Sequence, residues 1–207
     1  MWCDSAYPLN ELPEECRRFF AYWDQLRGNQ IVPPRSALDP GQIRTLLPLI
    51  TIVELLSRSR LIIRLAGTGV RNILGFEATG KNALNLAEES RRPIRSYRYW
   101  ASALQPCGVV YSREIAFSSG VTSRFLSLVL PMQPDQPTQP PIFVSIIASP
   151  EGHDWTNTSV PALDVAQDFR FIDIGAGVPA SIFPLNPWPL DDTVPTHSPE
   201  KHRPDRA

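Results

Sequence analysis

RLIIRLAGTGVRNILGFEATG, residues 60–80, decides the fold because it contains a strand, a glycine-bounded turn and a short helix in succession. Large and β-branched residues alternate along residues 61–66, which is typical of a strand buried on at least one face. The sequence Gly-Thr-Gly at residues 67–69 lets the chain reverse, since glycine accepts backbone angles that other residues resist. We predict that Thr68 caps the following helix and that Gly75 ends it.

The composition excludes several classes of partner. The chain has 207 residues and a net charge of −1, which favours one domain with extensions and gives no general attraction to nucleic acid or anionic membranes. We therefore expect no nucleic acid and no membrane as partners. No apolar run approaches the roughly 18 residues of a membrane span. The first residues, MWCDSAYPLNELPEE, lack the basic and apolar regions of a secretory signal, so a cytoplasmic location is expected.

Cysteine usage points to reduced thiols. Cys3, Cys16 and Cys107 are odd in number and show no C-x-x-C spacing. Neither a disulfide framework nor a zinc site is expected from this pattern. No spacing of acidic residues typical of a divalent metal loop is present either.

A first helix is predicted over residues 13–27. Pro13 suits its first turn, acidic residues follow at its positive end, and Gly28 lies just beyond it. An apolar stripe at three- and four-residue spacing runs along this helix. We favour packing of the stripe on its own domain over the alternative, a homodimer interface. The stripe consists of Cys16, Phe19, Phe20, Trp23 and Leu26, with Phe19, Phe20 and Trp23 as the candidate dimer contacts.

A second, longer helix is predicted to end at Leu104 and to begin near Leu86 or Pro93. One of its faces is apolar, and its first half is rich in positive charge. We favour a solvated face for these arginines over an anion or nucleic-acid site, since nothing else in the chain extends the basic patch. The arginines are Arg91, Arg92, Arg95 and Arg98.

The remaining pattern is that of strands. A strand at residues 50–56 precedes the stretch quoted above, and three strands are predicted at 109–118, 123–130 and 142–149. The loop at residues 131–141 has five prolines in eleven residues, so it is stiff and excluded from interior pairing. Residues 169–174 form either a last short strand or a packed extension.

The register of the hairpin at Gly120 has two alternatives. In the first, Ile115 pairs with Phe125, so that Arg113 lies opposite Ser127 and Tyr111 opposite Val129. In the second, a shift of one residue turns Leu126, Leu128 and Leu130 towards that face instead. The sequence does not choose between them.

These elements give a division of the chain into four parts. We predict an N-terminal helical extension at residues 1–48, a central domain at 49–150, and a C-terminal extension packed on or near it at 151–178. The tail at 179–207 is rich in proline and poor in apolar surface, so it is expected to be largely disordered. Partial docking of the tail would use Ile182, Phe183 and Trp188.

Four short motifs follow one another in the first half of the chain. They are WDQLRG at residues 23–28, an aspartate-proline helix start at Asp39 leading to LLP at 46–48, IRLAGT at 63–68, and Thr79-Gly80. In this order they resemble the stand-alone PAS-type proteins of proteobacteria, over a span from about Phe19 to Ser149. The resemblance implies an α+β class with a PAS-like five-stranded antiparallel sheet flanked by helices, used for sensing small ligands and for protein contacts. It supplies no catalytic residues.

The cofactors that PAS domains hold find little support in the sequence. Haem needs an axial ligand, but His153 lies in a loop, and His197 and His202 lie in the tail. The covalent flavin of light-sensing domains needs a cysteine in the region corresponding to residues 70–86, which contains none. Haem and covalent flavin are therefore unlikely on the sequence, non-covalent flavin stays open, and the cofactor is unknown. The start of a dinucleotide fingerprint at Gly67 breaks at Asn72.

A pocket between sheet and helices is the remaining candidate site. Arg113 is its most informative residue, because a charge on an apolar strand face is costly unless it is paired. Internal pairing or escape of Arg113 at a strand edge is favoured over an anionic ligand. The candidate ligand-binding residues are Thr68, Tyr97, Trp100, Tyr111, Arg113, Phe125 and Ser127.

Three functions follow as hypotheses. The first is a non-enzymatic PAS-type sensory or interaction module that binds a small organic anion, forms a homodimer and signals by docking to an unidentified signalling protein. The second is a small enzyme with Tyr97 or Tyr111 as proton donor and Arg113 as anion clamp. The third is a purely structural dimerisation module with a filled core.

Overall fold

The computed structural model describes residues 7–148, 150, 166–192 and 194. Within them, six strands form one antiparallel sheet in the order β2-β1-β5-β4-β3-β6, and three α-helices lie against its two faces. The α+β class and the flanking helices are as predicted. The elements are α1 (Glu14–Arg27), β1 (Ile50–Ser57), β2 (Arg60–Ala66), α2 (Thr68–Leu74), α3 (Arg92–Leu104), β3 (Gly108–Ala116), β4 (Thr122–Met132), β5 (Ile142–Ala148) and β6 (Gln167–Ile172).

The sheet has one strand more than the five that the sequence predicted. β6 pairs antiparallel with β3, with Phe171 opposite Val109. Both side chains belong to the apolar cluster on the face covered by α3. Burial of these large apolar side chains therefore explains why this segment completes the sheet edge instead of packing as an irregular extension.

α1 covers one face of the sheet. It begins after Pro13 and ends at Gly28, whose φ of +53° suits glycine. Phe19 and Trp23 are each only 1% exposed, and the indole Nε1 of Trp23 donates a hydrogen bond of 2.9 Å to the carbonyl oxygen of Pro131. The apolar stripe of α1 therefore packs on the sheet of its own chain.

α2 begins where the chain passes very close to the segment before β1. A Cβ atom at Gly67 would lie 2.3 Å from the carbonyl oxygens of both Leu47 and Pro48. Only glycine permits this approach. Gly67 occupies the cap position and Thr68 is the first helical residue, without a side-chain capping bond, so the capping role predicted for Thr68 is wrong. Gly75 ends the helix with a φ of +75°, as expected.

The hairpin between β3 and β4 has neither of the two predicted registers. Tyr111 lies opposite Ser127 and Arg113 lies opposite Phe125. The reason is the position of the loop. Phe117 and Val121 close a loop at residues 118–120, in which Gly120 comes last with a φ of +81°, as in a turn followed by a bulge, whereas the first predicted register centres the loop on Gly120. This register places Tyr111, Arg113 and Ser127 on one face of the sheet, towards α2 and α3.

The described part of the proline-rich tail lies against α3 and the turn between β1 and β2. Trp188 contacts Tyr97 on α3, with ring centroids 5.3 Å apart, and Asp192 accepts hydrogen bonds from Ser57 and Ser59. Residues 179–192 thus have specific contacts, whereas we expected the tail to be largely disordered. Apart from Val194, the rest of the tail lies outside the described residues, and the predicted domain bounds stay predictions. Among the described residues, no helix has the length and apolar character to cross a membrane.

Candidate functional site

Two adjoining cavities lie between the sheet and the helices. We call them the α2 cavity, of about 50 Å³, and the α3 cavity, of about 60 Å³, after the helix that covers each. Arg95, Tyr99 and Tyr111 line both, so the cavities share one wall. Among the described lining residues, the polar side chains carry either a guanidinium group or a hydroxyl group. They belong to Thr51, Arg95, Tyr99, Tyr111, Arg113, Ser127 and Ser145 in the α2 cavity, and to Arg91, Arg95, Arg98, Tyr99, Ser102 and Tyr111 in the α3 cavity.

Arg113 lies in the α2 cavity beside two hydroxyl groups. Its Nη2 donates to the hydroxyl oxygen of Tyr111 at 2.6 Å and to Oγ of Ser127 at 3.2 Å. The guanidinium carbon lies 5.1 Å from the centre of the Tyr111 ring. These two hydroxyl groups and the Tyr111 ring orient the guanidinium group at the cavity wall. A planar cation held in this way is suited to bind a carboxylate or phosphate group.

Arg98 brings a second guanidinium group to the α3 cavity. Its Nε donates to the carbonyl oxygen of Ile182 at 3.3 Å, and its guanidinium carbon lies 3.9 Å from the centre of the Phe169 ring. Burial lowers the pKa of Arg98 to about 10, and the positive charges of Arg91 and Arg95 add to this effect. The α3 cavity therefore gathers like charges that an anion would stabilise.

Three of the seven predicted ligand-binding residues come together. Tyr111, Arg113 and Ser127 line the α2 cavity and are joined by the hydrogen bonds of Arg113. Thr68 is exposed at the start of α2 and lines neither cavity. Phe125 is fully buried in the apolar cluster beside the α2 cavity and is not part of its wall, because it packs against α2 from the sheet.

The two candidates from α3 are also placed elsewhere. The hydroxyl of Tyr97 donates to the carbonyl oxygen of Ser181 at 3.1 Å, on the side of α3 that carries the C-terminal segment. Trp100 is buried, and its Nε1 donates to the carbonyl oxygen of Ser57 at 3.3 Å. Trp100 lines a third cleft, beneath the 131–141 loop. Tyr97 and Trp100 thus contact neighbours other than the two cavities.

Sequence reasoning missed Arg95, Arg98 and Tyr99. The arginines of this helix were interpreted as a solvated face, but Arg91, Arg95 and Arg98 all line the α3 cavity. Their spacing of four and then three residues places them on one helical stripe. That stripe was the signal available in the sequence, and a solvated face was favoured because nothing else in the chain extends the basic patch.

Haem and flavin do not fit the two cavities. Each cavity is far smaller than the roughly 300–1,000 Å³ of pockets for drug-sized ligands. Cys107 is buried, lines neither cavity, and has a pKa raised to about 12 by burial. His153, His197 and His202 lie outside the described residues. Within the described part of the chain, no group of three or more metal-binding side chains is present.

Two of the three predicted dimer contacts are occupied within the chain. Phe19 and Trp23 are buried against the sheet, while Phe20 is only partly buried. Phe20 also contacts Trp23, with ring centroids 6.1 Å apart. The homodimer stays a prediction, and of these three residues Phe20 alone has surface left for a second chain.

One of three comparisons with known proteins agrees with the fold. A family model described as "PAS domain" matches residues 13–147. No curated protein matches the chain. Among solved structures, a fungal LOV domain photoreceptor matches with 16% identity and a TM-score of 0.33, over 56% of this chain and 94% of that one.

Proposed function

Because the chain belongs to the PAS domain family, we propose that it is a sensory and interaction module that binds a small organic anion between its sheet and its helices. The observation that carries this proposal is the position of Arg113. Its guanidinium group is held by Tyr111 and Ser127 at the wall of the α2 cavity. Arg95 lines the same cavity from the opposite side, so an anion there has cations on both sides.

The size of the cavities sets the class of ligand. Volumes of about 50 and 60 Å³ suit an anion of a few heavy atoms, such as a short carboxylate or inorganic phosphate. Apolar residues of β3, β4 and β5, namely Val109, Val129 and Phe143, line the α3 cavity beside the arginines. This combination favours an organic anion with a small apolar body over a highly charged one.

Binding without catalysis is the better supported function. Tyr97, a candidate proton donor, lines neither cavity, and burial raises its pKa above the usual value for tyrosine. The hydroxyl of Tyr111 accepts a hydrogen bond from Arg113 and so serves to position the cation. We propose that the signal passes by docking to another protein in the cytoplasm.

Thermal unfolding with four probe anions tests this proposal. Acetate, succinate, benzoate and inorganic phosphate are added at about 10 mM, with potassium chloride at matched ionic strength as reference. An anion at ten times its Kd stabilises the fold by about 1.4 kcal/mol, which raises Tm by roughly 3–6 °C for a chain of this size. Arg113→Ala is expected to abolish the shift, and Arg113→Lys to retain part of it because lysine keeps the charge but not the planar fork.

A matched control separates the site from general charge effects. Arg44 is exposed, and its Nε donates to the carbonyl oxygen of Gly41 in a turn that lines neither cavity. Arg44→Ala should leave the shift unchanged. The proposal is wrong if none of the four anions raises Tm above the chloride reference, or if Arg113→Ala responds as the wild type does.

A further inference from the structure

Residues 181–192, which we call the strap, contact α3 and the turn between β1 and β2. Trp188 is the main anchor. Its Nε1 donates to Oγ of Ser96 at 3.0 Å, and Ser96 donates in turn to the carbonyl oxygen of Arg58 at 2.7 Å. The ring of Trp188 lies edge-on to Tyr97, with centroids 5.3 Å apart, and the guanidinium carbon of Arg58 lies 4.2 Å from its centre. An aromatic residue held on three sides fixes this segment to the helix.

The end of the strap has a second anchor on the turn between β1 and β2. The carboxylate of Asp192 accepts hydrogen bonds from Oγ of Ser57 at 3.1 Å and from Oγ of Ser59 at 2.6 Å. The backbone N–H of Ser59 donates to the carbonyl oxygen of Asp191 at 3.1 Å. Both anchors lie away from the α2 and α3 cavities, since neither Trp188 nor Asp192 lines them.

The beginning of the strap contacts a residue of the α3 cavity. The carbonyl oxygen of Ile182 accepts the hydrogen bond from Nε of Arg98, while the neighbouring carbonyl of Ser181 accepts one from the hydroxyl of Tyr97. The guanidinium group of Arg98 stacks on Phe169, which also lines the α3 cavity. One of the five N–H donors of Arg98 thus holds the strap, and a guanidinium group has donors on its other nitrogens for an anion.

From these contacts we infer that the strap completes the anion site by holding Arg98 at the α3 cavity, so that strap docking and anion binding stabilise each other. The inference rests on the proposed function and adds a binding residue and a means of regulation. A carboxylate or phosphate in the α3 cavity orders Arg98, and ordered Arg98 presents its Nε to the strap. By linkage, the factor by which the docked strap raises anion affinity equals the factor by which the anion favours docking.

Anion affinity and strap docking are measured on the same full-length chain. Affinities for acetate, succinate, benzoate and phosphate are measured by calorimetry, and docking by 19F NMR of 5-fluorotryptophan protein, with the Trp188 signal assigned by Trp188→Phe. Trp188→Ala is expected to weaken anion binding by about fivefold or more, the usual range of coupling between sites. In the wild type, each bound anion should shift the Trp188 signal towards the docked state, and Arg98→Ala should shift it towards the released state.

Two further variants make the outcome decisive. Leu185 belongs to the strap but is 85% exposed, so Leu185→Ala should change neither affinity nor docking. Asp192→Asn weakens the second anchor at an exposed position and should lower affinity in the same direction as Trp188→Ala, which keeps the test valid if Trp188→Ala fails to fold. Equal affinities in the wild type, Trp188→Ala and Asp192→Asn overturn the inference alone. Absence of binding to the wild type overturns the proposed function and the inference with it.

Discussion

Replacing Gly67 by alanine should be among the most damaging single-methyl changes in this chain. The Cβ atom would lie 2.3 Å from the carbonyl oxygens of Leu47 and Pro48. The φ and ψ of Gly67 are −63° and 161°, which alanine adopts readily. Any loss of stability therefore comes from steric overlap and not from backbone strain.

The magnitude follows from the atoms involved. Ordinary contact begins at 3.4 Å, so α2 and the segment at Leu47 and Pro48 must separate by about 1 Å, and neither oxygen can rotate away because both belong to the backbone. Overpacking of this kind costs about 1–3 kcal/mol. The separation also strains the 2.9 Å hydrogen bond from Gly67 N–H to the carbonyl oxygen of Ile50, and alanine recovers about 0.4–1 kcal/mol through the unfolded chain. Because two backbone oxygens lie in the way, we expect the overpacking cost at its upper end of about 3 kcal/mol, and the weakened hydrogen bond adds about 0.5–1.5 kcal/mol. After the gain through the unfolded chain, the net loss is about 2.5–4 kcal/mol, which corresponds to a fall in Tm of roughly 5–15 °C.

Urea unfolding followed by circular dichroism gives the free energy of unfolding for the test. Gly120→Ala is the matched control, because no atom lies within 4 Å of its added Cβ and only the φ of +81° is unfavourable, at a cost of about 1 kcal/mol. Gly67→Ala should also abolish the anion-induced shift in Tm, since Val70, Ile73 and Leu74 of α2 wall the α2 cavity. A loss in Gly67→Ala no larger than that in Gly120→Ala would refute the close approach on which this reasoning depends.

Two other predictions concern the buried thiols and the helix α1. Burial raises the pKa of Cys16 and Cys107 to about 12 from 9.0. As pH rises, the thiols of the unfolded chain therefore lose their protons before those of the folded chain. The free energy of unfolding should fall between about pH 9 and pH 12, by about 1.4 kcal/mol per thiol and pH unit. Urea unfolding should show a shallower slope for Cys107→Ala, and equal slopes would contradict the burial of this thiol. A homodimer formed through Phe20 should be detected by light scattering at tens of micromolar. It should dissociate in Phe20→Glu but not in Gln25→Glu, which changes an exposed position of the same helix. A monomeric wild type at that concentration would contradict the dimer.

The boundaries of the main elements were predictable because single residues set them. Pro13 and Gly28 bracket α1, and Gly75 ends α2; each acts through its own backbone geometry and needs no knowledge of distant contacts. The register of the β3–β4 hairpin was not predictable in this way. It depends on the length of the loop and on the place of Gly120 within it, and more than one combination is compatible with the sequence around it.

Some residues of the candidate site were predictable from the sequence and others were not. Tyr111, Arg113 and Ser127 lie on strands, where alternate side chains share a face whatever the exact pairing, so their convergence could be predicted despite the wrong register. Tyr97 and Trp100 lie on α3, which has the sheet on one side and the strap on another. A helix with contacts on several sides has no unique inward stripe, and its rotation depends on a strap that sequence reasoning expected to be largely disordered.

The contacts of Arg98 explain why a cluster of arginines is tolerated beside apolar residues in the α3 cavity. Burial and the like charges of Arg91 and Arg95 disfavour the charged form of Arg98. The ring of Phe169 and the carbonyl oxygen of Ile182 favour that form. An anion beside these guanidinium groups would relieve this repulsion. In the proposed function, Arg113, hydrogen-bonded inside the α2 cavity, would orient the anion, and Arg98 would transmit its presence. If both residues act in this way, anion binding in the cavities would change the docking of the strap, which lies at the surface of the domain.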